Sequence, residues 1–250
     1  MKGDTTMSHD KLSIVFFDAH AADMINSSAG TIANYAKAGH RVTLVALTPG
    51  EKGYAFYEGL EITAEQYLQA KIDMWEGAGE ILGVHDVRTL EWRDGELPYH
   101  DDVINTCCDI MREVQADIVV THWKGSFHKD HVNAYKNVED AVFLAGLPGY
   151  ERKHPAHRVR QIFYTDNWED WEAYQPDIYV DITDVMDLKL AALDKLLQIT
   201  RDLGLEGGFD YKGFYQALAK MRGCLSREFE YAEGYLASYK ATQRAKLLPV

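Results

Sequence analysis

His20 and Asp23 stand three residues apart in D-A-H-A-A-D-M, directly after the apolar run S-I-V-F-F of residues 13–17. An imidazole and a carboxylate at the end of a buried strand are a metal-ligand pair. A second concentration of such groups is T-H-W-K-G-S-F-H-K-D-H, residues 121–131, with three histidines and an aspartate after another apolar run. Two imidazoles and one carboxylate form a catalytic zinc set that leaves a fourth position for water. Zinc in such a site brings the pKa of water toward neutrality and polarises carbonyl groups. Two histidines and an aspartate also accept iron, manganese or cobalt, so the expected cofactor is Zn2+ with another divalent metal as the alternative. If the two apolar runs are neighbouring strands, His20, Asp23 and His131 converge on one point. Lys52, Lys124 and Lys129 suit an anionic group nearby. Tyr54, Phe56, Tyr57 and Trp123 offer faces on which a sugar or a planar ring stacks; Trp168, Trp171 and Tyr174 form a second, more distant aromatic cluster.

The elements that must position these residues alternate. Residues 13–17, 41–48, 87–92 and 116–123 are β-branched and apolar runs of strand length. Between them lie helical stretches: one opening at Ser27-Ser28-Ala29-Gly30 and stopping at Gly39, one over 63–82 with Thr63 as N-cap and Gly83 as stop, and one over 101–115. A further helix spans about 130–145, and P-G-E-K-G-Y reads as a loop. Residues 160–166 and 177–183 are later strands, and the last 65 residues read as mostly helical. A β-α-β-α order predicts an α/β fold, a Rossmann-like, mostly parallel sheet with helices on both faces and a helical C-terminal part. Ligands bind such sheets outside the carboxyl ends of the strands. The informative positions are therefore 18–23, 48–54, 91–94 and 121–131. The 250 residues read as one domain, with 1–11 as a flexible polar tail.

Acidic residues number 39 against 26 basic ones, a formal charge of -13. Nucleic acid and anionic membranes call for a basic face, so neither is an expected partner. A small-molecule substrate is. Residues 1–12 lack the apolar core of a signal peptide, and no run of about 18 apolar residues suggests a membrane span; a cytoplasmic location is expected. Cys107, Cys108 and Cys224 are too few and too unevenly placed for a disulfide framework, and read as core or half-buried thiols.

The frame of a strand, A-H-x-x-D, a Gly-containing helix, a strand, G-E-x-G and a later H-x-D-H resembles the PIG-L/LmbE family of zinc-dependent deacetylases. The pieces here are A-H-A-A-D-M, T-P-G-E-K-G and H-K-D-H, in order over residues 13–145. The resemblance implies His20, Asp23 and His131 as zinc ligands and His128 as the group that stabilises the charged intermediate. It makes Asp130 the carboxylate that holds the histidines in place. An R-G…A-E ending puts Arg222 and Glu233 at the pocket border. The family acts on N-acetylglucosamine-type sugars, and its members commonly form homo-oligomers.

One departure matters. The family motif is A-H-P-D-D-E, and its first aspartate is the general base. Ala22 stands there, with Ala21 for the proline and Met24 for the glutamate. An alanine takes no proton, and a missing base costs about 10²–10⁴-fold in rate. The variant A-H-x-A-D resembles the branch of the superfamily that includes 4-oxalomesaconate hydratase. Three functions follow. The first is deacetylation of an N-acyl amino-sugar-like molecule, with Glu51 or Asp130 replacing the base. The second is hydration of an unsaturated keto-dicarboxylate, with Glu51 as base. The third is a non-catalytic binding protein on the same scaffold. Lys52, Tyr54, Trp123, Lys124 and Arg222 are the expected substrate contacts.

Overall fold

Buried apolar strands that lack an alternating polar face must be covered on both sides, and those over Ser13–His20, Arg41–Thr48 and Ile118–His122, of this kind, lie within a sheet of eight strands among the described residues. A computed structural model describes residues 11–56, 62–167, 174–202, 209–237, 243–245 and 247, with the backbone alone described for 54–56, 200 and 243–245. Tyr57, Trp168, Trp171 and the tail over 1–10 lie outside the described residues, as does the side chain of Tyr54. The strands are β1 (Ser13–His20), β2 (Arg41–Thr48), β3 (Asp86–Thr89), β4 (Ile118–His122), β5 (Gln161–Thr165), β6 (Ile178–Asp181), β7 (Ala232–Ala237) and β8 (Gln243–Ala245). Their order across the sheet is β3-β2-β1-β4-β5-β7-β6-β8. All neighbours run parallel except around β7, which is antiparallel to both β5 and β6.

The helices are α1 (Asp23–Lys37), α2 (Ala64–Ile81), α3 (Asp101–Val114), α4 (Lys129–Ala145), α5 (Met186–Leu196), α6 (Gln198–Asp202) and α7 (Tyr211–Ser226). Strand β1 divides its side chains between two cores. Ile14 and Phe16 pack with residues of α1, α2 and α5, such as Ile25, Trp75 and Ala192. Val15, Phe17 and Ala19 pack with residues of α3 and α4, such as Val103, Met111 and Val138. Each such fully buried side chain contributes roughly 1.5–3 kcal/mol. Gly30 lets α1 approach the end of β6: a Cβ there would lie 2.5 Å from Ile182 Cγ2.

The sheet order reverses at β1, whose neighbours are β2 on one side and β4 on the other. That reversal opens a crevice at the carboxyl ends of β1 and β4, where doubly wound folds bind ligands. The C-terminal part is mostly helical, as expected, with α5, α6 and α7, and it also supplies β7 and β8 to the sheet. Two other expectations need correction. Helix α1 begins at Asp23 rather than near Ser27. Its N-cap, Ala22, has φ 118° and offers no capping side chain. Asp18 at the end of β1 serves instead, its Oδ1 accepting the Met24 N–H at 2.7 Å. The expected loop after β2 is in part a 3-10 helix over Glu51–Phe56.

Candidate metal centre

The pairing of β1 with β4 brings the two histidine-bearing segments together. His20 closes β1, Asp23 opens α1, and His131 lies in the first turn of α4. His20 Nδ1 and Asp23 Oδ2 are 3.4 Å apart, His131 Nε2 and Asp23 Oδ2 3.3 Å, and His131 Nε2 and His20 Nδ1 3.3 Å. Ligand atoms about 2.0–2.1 Å from a tetrahedral ion lie about 3.3–3.4 Å from one another. The triangle therefore has the dimensions of three corners of a zinc tetrahedron, and its donor set suits zinc.

The surroundings hold the donors in place. His20 turns its other nitrogen, Nε2, toward Asp94 Oδ1 at 3.2 Å and Asp130 Oδ2 at 3.4 Å. Two carboxylates around one N–H fix the ring and leave Nδ1 for a metal. Asp94 sits in the loop after β3; its Oδ2 accepts the Lys52 N–H, and its own N–H donates to Glu51 Oε1. Asp130 Oδ2 also accepts the Gly95 N–H at 2.6 Å. His131 Nδ1 lies 3.4 Å from Ser126 Oγ and 3.5 Å from Asn167 Nδ2, and Asn167 Oδ1 accepts the hydroxyl of Tyr215. His122 stacks on His131, ring centroids 4.1 Å apart, and its Nε2 accepts the Ala19 N–H at 2.8 Å. The same nitrogen lies 3.4 Å from Asp23 Oδ2, so His122 borders the ligand triangle as well as packing beside it.

The charges are complementary. Burial pushes the Asp23 carboxyl up, but His131, His122 and His20 outweigh it and hold Asp23 well below the usual range. Burial lowers His20, yet Asp130, Asp23 and Asp94 carry it well above the ordinary imidazole value. Burial and the neighbouring imidazoles lower His131 and His128. Burial and the nearby Asp23 raise Asp18 well above its usual value. Five buried polar atoms around this edge have no hydrogen-bond partner among the described residues: Asp18 Oδ2, Thr48 Oγ1, Glu51 Oε2, His122 Nδ1 and Asp130 Oδ1. Buried polar atoms are seldom left so, and a cluster of them marks a place built for bound water or a polar ligand.

A cavity of about 210 Å³ opens beside the triad. It is lined by His20, Asp23, Asn26 and Asn167, by Ala21 and Ala22, and by Leu193 and Leu196 of α5. Lys71 of α2 reaches into it, its Nζ donating to the Ala21 carbonyl at 3.3 Å. Burial lowers the Lys71 ammonium, and Asp23 and Asp94 oppose that.

The sequence-selected residues fall into two groups. His20, Asp23, His131, His128 and Asp130 come together: the His128 ring lies 4.7 Å from that of His20 and caps α4, its Nδ1 accepting the Asp130 N–H. Glu51 approaches through Asp94. Four expected substrate contacts lie elsewhere. Lys52 pairs with Glu96 at 2.6 Å, and Arg222 pairs with Asp166 at 2.6 Å over a separate small polar void. Trp123 packs edge-on against Tyr164 and Tyr174, and the exposed Lys124 lies over the Trp123 ring. Lys129 is turned to the Gly95 carbonyl. Long side chains near a motif in sequence thus satisfy one another along the rim. The strand-end rule includes Asp94 within 91–94 without assigning it a role, whereas it does not reach Lys71 of α2 or Asn167, which arrive with no spacing signal. The one available clue for Asn167 was its place two residues after β5.

Comparison with known proteins identifies relatives over most of the chain. The chain is 26% identical over 246 residues to 4-oxalmesaconate hydratase of Pseudomonas putida, covering 93% of this chain and 92% of that one. It is 27% identical over 197 residues to diacetylchitobiose deacetylase of Thermococcus kodakarensis, covering 74% and 69%. The crystal structure of the 4-carboxy-2-hydroxymuconate hydratase of Pseudomonas putida superposes with a TM-score of 0.81 at 24% identity over 92% of this chain and 97% of that chain, a likeness of fold. The family model described as PIG-L, GlcNAc-PI de-N-acetylase, matches residues 15–142. A shared fold, the matched residues and the ligand triangle within them lead to one conclusion: the chain belongs to the PIG-L family.

Proposed function

We propose that this chain is a zinc-dependent hydro-lyase that adds water across a carbon–carbon double bond conjugated to a carbonyl in a small unsaturated carboxylic acid. One observation carries the reading. The cavity beside an intact ligand triangle presents the methyl group of Ala22 and the ammonium of Lys71, with no carboxylate at position 22. An ammonium in that place serves an anionic substrate and cannot serve as the carboxylate base of amide hydrolysis.

A divalent metal held by His20, Asp23 and His131 would supply a Lewis acid that polarises the substrate carbonyl. Lys71 receives the remote carboxylate. His128, whose Nδ1 accepts a backbone N–H, carries its proton on Nε2 and donates it as a hydrogen bond to the developing oxyanion. Glu51, through its unpartnered Oε2, accepts the proton of the attacking water and returns it to the substrate's α-carbon, so that OH and H are both added and Glu51 ends as it began. The similarity to a hydratase over nearly the whole chain supports this reading.

The test follows the ultraviolet absorbance of unsaturated keto-dicarboxylates with zinc-loaded protein. Loss of the absorbance, reduced about 10²-fold or more in Glu51→Gln, is expected. Full activity of that variant would remove Glu51 as base, and no turnover of any unsaturated keto acid would remove the reading. A second reading, deacetylation of an N-acyl amino sugar, draws on the similarity to diacetylchitobiose deacetylase. Acetate release from a panel of N-acetylated amino sugars above a metal-free control would favour it.

A further inference from the structure

Lys189 of α5 and Glu233 of β7 form an ion pair at 2.7 Å, and each side chain is 2% exposed. A buried pair of this kind is weak evidence for stability, because desolvation offsets most of the attraction. Its hydrogen bonds indicate another use. Glu233 Oε1 accepts the N–H of Gly30 at 2.9 Å, and Oε2 accepts the N–H and hydroxyl of Thr31 at 2.8 and 2.7 Å. Lys189 Nζ donates to the Asn26 carbonyl at 2.8 Å. In an α-helix the N–H of residue 30 bonds to the carbonyl of residue 26. Here the ion pair engages both ends of that link in the middle of α1. Tyr235 completes the arrangement by donating to Thr31 Oγ1 at 2.8 Å.

We propose that the Lys189–Glu233 pair is a wedge in α1 that positions its first turn, and with it Asp23 and Asn26, against His20 and His131. Side chains inserted into a helix ladder are a known cause of bends. The first turn is then tied to α5 and β7 as well as to its own helix. Both wedge residues lie beyond residues 15–142, the span that matches the family model. They act through Asp23 and are positioning residues. The inference rests on the reading of His20, Asp23 and His131 as a metal site.

The test compares the full-length wild type with the apolar double variant Lys189→Met/Glu233→Leu and with Glu233→Gln. Zinc affinity is read by competition with a chromogenic chelator, and amide hydrogen exchange is read along α1. Because Glu233 and Lys189 also bond to Gly30, Thr31 and Asn26, the double variant is expected to lose some stability, and its melting temperature is recorded beside the affinity. The expected result is a zinc Kd about 10–100-fold weaker in the double variant, the range seen for residues that support metal ligands. Exchange at residues 24–31 accelerates while that of β1 and β4 does not. A double variant that folds and binds zinc within about threefold of wild type overturns the proposal. If the double variant does not fold, Glu233→Gln decides: a lower melting temperature with unchanged zinc affinity and unchanged α1 exchange overturns it. Failure of the wild type to bind zinc would refute the metal reading itself. The exchange measurement would then decide the wedge alone.

Discussion

Replacing Asp94 and Asp130 by asparagine, singly and together, probes how His20 is held. Both carboxylates face His20 Nε2, at 3.2 and 3.4 Å, and that nitrogen carries one hydrogen. Either acceptor is enough to orient the ring, so each covers the loss of the other. A single substitution is expected to weaken zinc binding about threefold, or about 0.7 kcal/mol. Loss of both carboxylates is expected to reach the upper end of the range for metal-supporting residues, about 100-fold or 2.7 kcal/mol. The double variant thus exceeds the sum of the singles by about 1.3 kcal/mol, a coupling normal for residues that share a partner. Asparagine keeps an acceptor for the Lys52 and Gly95 amides that these carboxylates also serve, so the fold is retained. The assay is a zinc titration against a competing chelator, with melting temperatures as control. Strictly additive effects, or a single variant as weak as the double one, would refute the shared clamp.

Three further outcomes follow from the fold. Arg112, 4% exposed, donates to the carbonyls of Leu144, Ala145, Leu147, Tyr150 and His154, closing the end of α4 and the chain beyond it. Arg112→Met strands these acceptors; a loss of about 3–5 kcal/mol is expected, seen by calorimetry as a melting point lower by about 6–20 °C. Asp86 accepts from Thr43, Arg41 and Arg88, which together outweigh its burial and hold its carboxyl below the ordinary value of 3.8. A depressed acid contributes stability above its unfolded pKa and loses it as pH falls through the folded one. Asp86→Asn should therefore cost about 1–2 kcal/mol at neutral pH, and denaturant melts should show the gap closing in acid below that range. Burial and Cys108 raise the Cys107 thiol, and both cysteines are buried while Cys224 is exposed. A thiol reagent should titrate one cysteine in the native protein and three in denaturant; more than one native thiol would contradict the packing of α3.

The parallel part of the sheet was legible because β1, β2 and β4 are uninterrupted apolar runs, and a strand buried on both faces has no other way to read. Their carboxyl ends located His20, Asp23 and His131 for the same reason. β7 was not legible. A-E-G-Y-L-A has little β-branching, and its Glu233 is buried by an ion pair formed with α5. The start of α1 was misread because its cap comes from Asp18, five residues before the helix, while Ser27 and Ser28 resemble caps but are buried. Ser28 bonds to Thr165 across the core, and Ser27 to the Asp23 carbonyl. The expectation that all three cysteines are at least half-buried fails at Cys224, which stands on an exposed face of α7. Lys71 reaches the site from α2 by tertiary packing that no local pattern announces.

The place of β7 also orders events during synthesis. It is made after β5 and β6 and lies between them in the finished sheet. As the chain leaves the ribosome, β5 has an open edge on that side until residues 232–237 emerge. Such edges are templates for mispairing. Pairings this distant in sequence close slowly. A nascent chain arrested before β7 should hold β1, β2, β4 and β5 together and still lack the Glu233 contact on α1. The candidate metal centre would then take its final form only late in synthesis, completed by a strand whose residues touch no proposed metal ligand.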